Sequence, residues 1–231
     1  MTLLGDDRWA DALTRLWQQE GVALDGVRRI SGQRTGLYFV HHDDRGHHFS
    51  YARAGSAASL MTPSDLKVGW LNLVAQSHWL HVSGISMAIS ESARDTVLEA
   101  MRQARLAGTQ VAFDTNLRLN LWPLDQARAI FQQALPCCDL LLPSLEDMMQ
   151  ITGLKDPEAI LDWCHDHGAV HVVLKMGAQG ALISQGEVRN WIPAMQVRAL
   201  DATGAGDCFC GNLLARLVLG DSLAQATRWA N

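Results

Sequence analysis

The sequence predicts an α/β protein with a mostly parallel central sheet, helices on both of its faces, and a few antiparallel strands besides. Three observations carry this. From about residue 66 onward short apolar runs alternate with helical stretches, which right-handed crossovers turn into a parallel sheet buried on both sides. Between about residues 27 and 55 the runs are short, β-rich and joined by a Gly-containing turn, which suggests antiparallel strands. Near the end, Asp201-Ala202-Thr203-Gly204-Ala205-Gly206-Asp207 precedes Phe209, Leu213 and Leu217 on one helical face and Gly220 as a stop, so a glycine-rich turn opens a helix.

In chain order, residues 6–20 read as a helix with Trp9, Leu13, Leu16 and Trp17 on one stripe and Gly21 as its stop. Residues 27–30, 35–40 and 49–53 read as strands, the last two joined by a polar turn through Asp43-Asp44-Arg45-Gly46. His41, His42, His47 and His48 flank that turn. Their number allows a metal, but polar residues at an exposed hairpin end account for them. Residues 79–82 read as a strand, 90–107 as a helix capped by Ser90 and stopped at Gly108, and 110–113 as the next strand. Helix 125–134 leads to strand 140–142, helix 146–151 stops at Thr152-Gly153, and helix 157–167 leads to strand 171–174. Residues 224–231 have a helical pattern. No repeat, low-complexity segment or clear linker interrupts the chain, so residues 1–231 are expected to form one domain. Ligands of such sheets bind at the carboxyl ends of the strands.

A chain of 231 residues is long enough for a substantial core, and 48% hydrophobic with 19% charged residues is ordinary for a soluble globular protein. A net charge of −5 argues against an extended nucleic-acid surface. No apolar run approaches a membrane span, and the first seven residues lack a signal peptide's basic region and apolar core. The five cysteines, Cys137, Cys138, Cys164, Cys208 and Cys210, form no C-x-x-C pair and read as reduced thiols of a cytoplasmic protein. Cys208 and Cys210 read as small apolar helix residues.

The turn before Phe209 is an anion site in its chemistry. Gly204 and Gly206 let the backbone approach a ligand, and the free N–H groups of the first helical turn lie at the positive end of the helix dipole. Asp207 is the odd residue there, because a phosphate repels it. A general base for an attacking hydroxyl tolerates that cost, and an N-terminal helix charge explains it equally; spacing alone leaves both open. A dinucleotide loop fits worse, since it needs glycine where Phe209 stands, and no G-x-x-x-x-G-K-[ST] occurs.

This segment resembles the second signature of the PfkB, or ribokinase-like, family of sugar kinases. The resemblance implies a three-layer α/β/α fold with a mostly parallel central sheet and a small β-strand lid. It implies that Gly204, Ala205 and Gly206 supply an anion hole for the transferred phosphoryl group of ATP, and that Asp207 deprotonates the substrate hydroxyl. Such a base contributes about 10² to 10⁴ in rate, with positioning and electrostatics carrying the rest. Tyr51-Ala52-Arg53, followed by Ser56-Ala57-Ala58-Ser59, is similar to the Tyr-x-Arg…Ser-Ala-Ala segment of 2-keto-3-deoxygluconate kinases. Asp114-Thr115-Asn116-Leu117-Arg118…Leu121-Trp122 is similar to their Asp-x-Asn-x-Arg…Leu-Trp segment. By resemblance Tyr38, Tyr51, Arg53 and Arg118 hold the sugar acid, and the residue chemistry agrees, a guanidinium fork suiting a carboxylate. Without it, Tyr38 and Tyr51 are ordinary strand aromatics and Arg118 is a surface arginine pairing with Asp125, worth about 0 to 1 kcal/mol.

Lys175-Met176-Gly177-Ala178-Gln179-Gly180-Ala181 matches the family's Lys-x-Gly-x-x-Gly nucleotide loop between two strands, which implies ATP contacts from Lys175, Gly177, Gly180 and Ala181; the glycines also suit a hairpin turn. Pro143-Ser144-Leu145-Glu146-Asp147 stands where the family has Asn-x-x-Glu, a motif that organises Mg²⁺ and phosphate through water. Ser144 replaces the asparagine and suits a helix N-cap, while Asp147 replaces the glutamate and is one methylene shorter. Asn231 falls where the family has an asparagine lining the adenine pocket.

The activity so implied is transfer of the ATP γ-phosphoryl group to the 6-hydroxyl of 2-keto-3-deoxygluconate, with Mg²⁺. The rivals are another ribokinase-like substrate, such as fructose or a nucleoside, and a non-catalytic ligand-binding protein; an oxidoreductase is the weakest. The resemblance further implies a first strand and a glycine-rich segment ahead of Gly5-Asp6-Asp7, which are not read here, and more helices beyond Asn231, so the domain is expected to be incomplete at both ends. Small-molecule sugar acid and ATP are the expected partners, with no nucleic acid and no membrane, and the lid of this family often pairs between subunits, which suggests a homo-oligomer.

Overall fold

The computed structural model describes residues 1–43, 46–199 and 201–231. Asp44 and Arg45 of the expected hairpin turn, and the side chains of residues 42–49 with most of the histidine cluster, lie outside the described residues. The chain divides into two compact units, residues 1–75 with 86–100, and residues 76–85 with 101–231.

The first unit opens on strand β1 (Thr2–Leu4), then helix α1 (Arg8–Gln19), then strand β2 (Val27–Arg29), which pairs parallel with β1. No strand ahead of Gly5 was expected. Three residues are too few for an alternation to show, and both leucines of β1 are buried, so tertiary pairing makes this strand. Asp7 caps α1 by accepting from the Trp9 and Ala10 amides, and the same carboxylate accepts from the amide and hydroxyl of Thr35. One side chain thus starts the helix and pins the segment leading into strand β3 (Leu37–Asp43). Strand β4 (Gly46–Ala52) returns antiparallel, in a register that sets Tyr38 opposite Tyr51. Two short helices follow, α2 (Pro63–Asp65), started by a Thr62–Asp65 capping box, and α3 (Leu71–Ala75).

The second unit holds a six-stranded sheet. Its elements are strand β5 (Trp79–Ser83), the start of helix α4 (Gly84–Ala88), the end of helix α5 (Glu91–Ala107), strand β6 (Gln110–Asp114) and helix α6 (Leu124–Ala134), residues 86–100 of α4 and α5 belonging to the first unit. Strand β7 (Leu140–Leu141), helix α7 (Leu145–Thr152), helix α8 (Pro157–Asp166) and strand β8 (His171–Lys175) continue the alternation. β5 to β8 are parallel; β9 (Ala181–Gln185) and β10 (Val188–Ile192) fold back antiparallel, in the order β10-β9-β8-β7-β6-β5. Helices α9 (Ala205–Val218) and α10 (Leu223–Ala230) close the unit.

Alternation within the strands sends side chains to two cores. Ala112, Leu140, Leu142, Val173 and Ile183 pack with Phe209, Leu213 and Ala226 of α9 and α10. Phe113, pointing the other way, meets Phe131 of α6 edge-on at 5.2 Å, and Trp122 meets the same ring at 5.6 Å. Helices therefore cover both faces. Each fully buried Phe or Leu is worth about 1.5 to 3 kcal/mol, which makes this pattern the main determinant of the fold. Among the described residues no helix is long and apolar enough to cross a membrane.

Candidate active site

The glycine-rich turn forms the first turn of α9. Gly204 is the N-cap at φ 75°, in the left-handed region, and the Cys208 amide bonds its carbonyl at 2.8 Å. The Ala205 amide is taken by Ala202 at 3.1 Å, whereas the amides of Gly206 and Asp207 have no backbone acceptor among the described residues. All of residues 201–208 are exposed, Asp207 included. Two open amides at the positive end of a 14-residue helix, beside glycines whose missing Cβ leaves clear space, suit an anionic oxygen. The turn fits the phosphates of ATP on this chemistry. Of the neighbouring thiols, Cys210 is buried in the core, its pKa pushed up to about 12 by burial, while Cys208 is exposed rather than apolar-packed; all five cysteines are free.

Behind that turn, the ends of β6 and β8 bring Asp114 and Lys175 together. Lys175 Nζ donates to Asp114 Oδ1 at 2.9 Å and to Cys210 Sγ at 3.8 Å, with side-chain exposures of 15% for the lysine and 5% for the aspartate. The same Nζ is 3.8 Å from where a Cβ on Gly206 would lie. Burial pulls the ammonium down, but the Asp114 carboxylate, by charge and hydrogen bond, together with Cys210 and Asp147 outweighs it and holds Lys175 above its ordinary value. Lys175 was expected to contact nucleotide. In the structure its first partner is a buried carboxylate, and its charge stands just under the anion turn.

The rest of the expected nucleotide loop is a tight connection from β8 to β9. Met176 donates to the Gly180 carbonyl at 2.8 Å and Gly180 to that of Gly177 at 3.0 Å. A Cβ on Gly180 would lie 2.1 Å from the Ile192 carbonyl oxygen, so this glycine answers to a close approach of β10. Ala181 is fully buried in the sheet, and its side chain is unavailable to a ligand. Ser144 Oγ accepts from the Asp147 amide at 3.1 Å, the helix-cap alternative for that residue. Asn231 Nδ2 donates to the Ile192 carbonyl at 3.1 Å.

The segment after β6 is braced on several sides. Asp147 Oδ2 accepts from Thr115 Oγ1 at 2.8 Å and from the Leu117 amide at 3.0 Å. Burial pushes the Asp147 carboxyl above its usual value, and those two bonds oppose the shift. The Arg118 guanidinium donates to the Leu117 carbonyl at 2.7 Å, and the alternative of a pairing with Asp125 is not seen among the described residues, where Asp125 pairs with Arg128 at 3.3 Å. No group of three or more His, Cys, Asp or Glu suited to a metal ion occurs among the described residues. The one carboxylate expected to face hydrated Mg²⁺ spends an oxygen inside the fold, so Asp147 fits that ion poorly.

In the first unit, Tyr38 and Tyr51 pair across the β3–β4 ribbon with ring centroids 6.3 Å apart, and the Arg53 guanidinium lies 5.4 Å and 5.6 Å from the two rings. Cation–π contact fixes the arginine against both tyrosines. The structure thus gathers Tyr38, Tyr51 and Arg53 in one group, and Asp114, Lys175, Gly206 and Cys210 in another. Sequence reasoning passed over Asp114, Thr115 and Asn116 as residues in their own right, and also Ser83 and Gly84. The available signal was that Asp114 and Ser83 both close parallel strands.

Parallel strands ending in charged residues under a glycine-led helix start, with helices on both faces, define a ribokinase-like α/β phosphotransferase fold. The chain belongs to the pfkB family of carbohydrate kinases, whose profile matches residues 1–231. It is 32% identical over 235 residues to the 2-dehydro-3-deoxygluconokinase of Dickeya dadantii, across 99% of this chain and 76% of that protein. A PfkB protein from a Polaromonas species superposes with a TM-score of 0.89 at 29% identity, over 99% of this chain and 75% of that one. A fructokinase from Vibrio cholerae, solved with fructose, ADP and calcium ion, gives 0.87 at 27% identity, over 100% and 76%. This chain is shorter than each of them.

Proposed function

We propose that this carbohydrate kinase phosphorylates the 6-hydroxyl of 2-keto-3-deoxygluconate from ATP with a divalent metal ion. The observation that carries the reading is the exposed Asp207 carboxylate in a first helical turn whose own and Gly206 amides lack backbone acceptors among the described residues. ATP, when bound, supplies the phosphoryl group and its leaving group. Asp207 accepts the proton of the attacking hydroxyl, and the open amides of Gly206 and Asp207, rather than that of Ala205, hold the transferring group as its charge shifts. Lys175, kept charged by Asp114, adds a positive potential under that turn. Arg118, and in the first unit Arg53 with Tyr38 and Tyr51, are the proposed ligands of the acid; the 32% identity to a 2-dehydro-3-deoxygluconokinase supports a sugar acid.

The likeness to a fructokinase favours a second reading, a neutral ketose as substrate. ADP release measured across sugars with and without a carboxylate separates the two, the sugar acid being expected to give the highest kcat/KM. Asp207→Asn is expected to lose about 10² to 10⁴ in kcat with the fold intact. A variant that keeps its full rate would sink the assignment of the base.

A further inference from the structure

We propose that Asp147 is a positioning residue that braces the loop carrying Arg118, and does so in place of a contact to a hydrated metal ion. The inference rests on reading Arg118 as a ligand of the sugar acid. A single oxygen, Oδ2, receives both the Thr115 hydroxyl and the Leu117 amide, so the carboxylate spans the residue between them. That residue, Asn116, has φ 37° and is the one non-glycine with positive φ among the described residues. Asparagine tolerates the left-handed region better than most side chains, yet a strained backbone persists only where its surroundings hold it.

The holding groups are all present. Asn116 Nδ2 donates to Ser83 Oγ at 3.0 Å, at the end of β5. The next residue, Gly84, comes so close that a Cβ there would lie 2.0 Å from the Thr115 carbonyl oxygen. Asp147 holds the opposite end of the bend, its own amide bonded to Ser144 Oγ. Arg118 then donates to the carbonyl of Leu117, the residue whose amide Asp147 holds. Holding the Leu117 amide therefore fixes the peptide immediately before the one whose carbonyl receives the Arg118 head. This also explains the aspartate where the family has glutamate: a side chain one methylene longer would overshoot an acceptor position set by the Thr115 hydroxyl and the Leu117 amide.

The test compares Thr115→Val, Asp147→Ala and Asp147→Asn, with circular dichroism melts confirming folding. Thr115→Val removes one donor to the brace and touches no group assigned to metal. Asp147→Asn retains an oxygen able to accept both bonds. We expect Thr115→Val and Asp147→Ala to raise KM for 2-keto-3-deoxygluconate about 10- to 150-fold, the effect of losing a hydrogen bond to a charged group, with the Mg²⁺ concentration for half-maximal rate little changed. Asp147→Asn should recover most of what Asp147→Ala loses. Hydrogen exchange of the Leu117 amide, read without sugar, nucleotide or metal, should be faster in Asp147→Ala than in Asp147→Asn. A raised Mg²⁺ requirement in both Asp147 variants, with KM unmoved in Thr115→Val, overturns the brace in favour of a metal contact. Turnover of neutral sugars alone by the unaltered protein overturns the sugar-acid reading instead. The Leu117 amide then decides the brace: faster exchange in Asp147→Ala and Thr115→Val keeps it, unchanged exchange rejects it.

Discussion

Replacing Lys175 by methionine separates its two possible roles. Its ammonium lies 2.9 Å from Asp114 Oδ1, and the two side chains are 15% and 5% exposed, so the pair is buried. Methionine fills most of the lysine's volume but leaves the Asp114 carboxylate without its cation. Removing one member of a buried ion pair costs about 3 to 5 kcal/mol, because the remaining charge keeps its desolvation penalty and loses its partner. In a chain of this size that corresponds to a fall in Tm of about 6 to 20 °C. The assay is thermal unfolding at pH 7 of the unaltered protein, Lys175→Met and the double variant Lys175→Met/Asp114→Leu. Replacing both charges removes the orphaned carboxylate, so the double variant should regain much of the loss. The lysine is held above its ordinary value of 10.5, so its stabilising contribution is fully present below that pH and is lost as the pH rises through the higher folded value; the gap to the variant should narrow there. If Lys175 served ATP alone, Lys175→Met would melt within about 2 °C of the unaltered protein and lose only nucleotide affinity, and that outcome would refute the reasoning.

Two further substitutions probe the frame. Asp7→Ala removes the α1 cap and the tie to Thr35 together, an expected loss of about 1 to 2 kcal/mol in urea unfolding at pH 7. The Thr35 and Ala10 amides hold the Asp7 carboxyl below the usual carboxylate value, so its contribution is present above about pH 4 and fades as the pH falls further; the difference between the two proteins should shrink at pH 3. Gly180→Ala would set a Cβ 2.1 Å from the Ile192 carbonyl at a residue with φ 96°, and soluble yield with normal β-sheet circular dichroism would contradict the close approach described.

The parallel sheet and its helices were legible because β5, β6 and β8 are short apolar runs closed by a polar residue, β7 lies in an unbroken leucine run stopped by Pro143, and each helix repeats apolar residues at its own period. The start of α9 was legible for a similar reason: its glycines, its capping turn and its aspartate are consecutive, so local backbone chemistry carries the signal. β1 was not, since three residues hold no period, and the strand exists through its ladder to β2. β10 was missed as well, because four of its five residues are not buried and the alternation is weak.

The sequence by itself determined which residue types stand at the strand ends and that a glycine-led helix start follows them. Only the tertiary structure decided how those residues are used. Lys175 and Asp114 are far apart in the chain, and nothing local says that one neutralises the other; the register of β6, β7 and β8 does. Asp147 likewise reads as a carboxylate in a helix's first turn, and its choice between facing solvent and gripping Thr115 and Leu117 is set by how α7 packs beside the end of β6. Hydrogen bonds and ion pairs act over about 3 Å, so a one-dimensional pattern names the candidates while folding selects the partners.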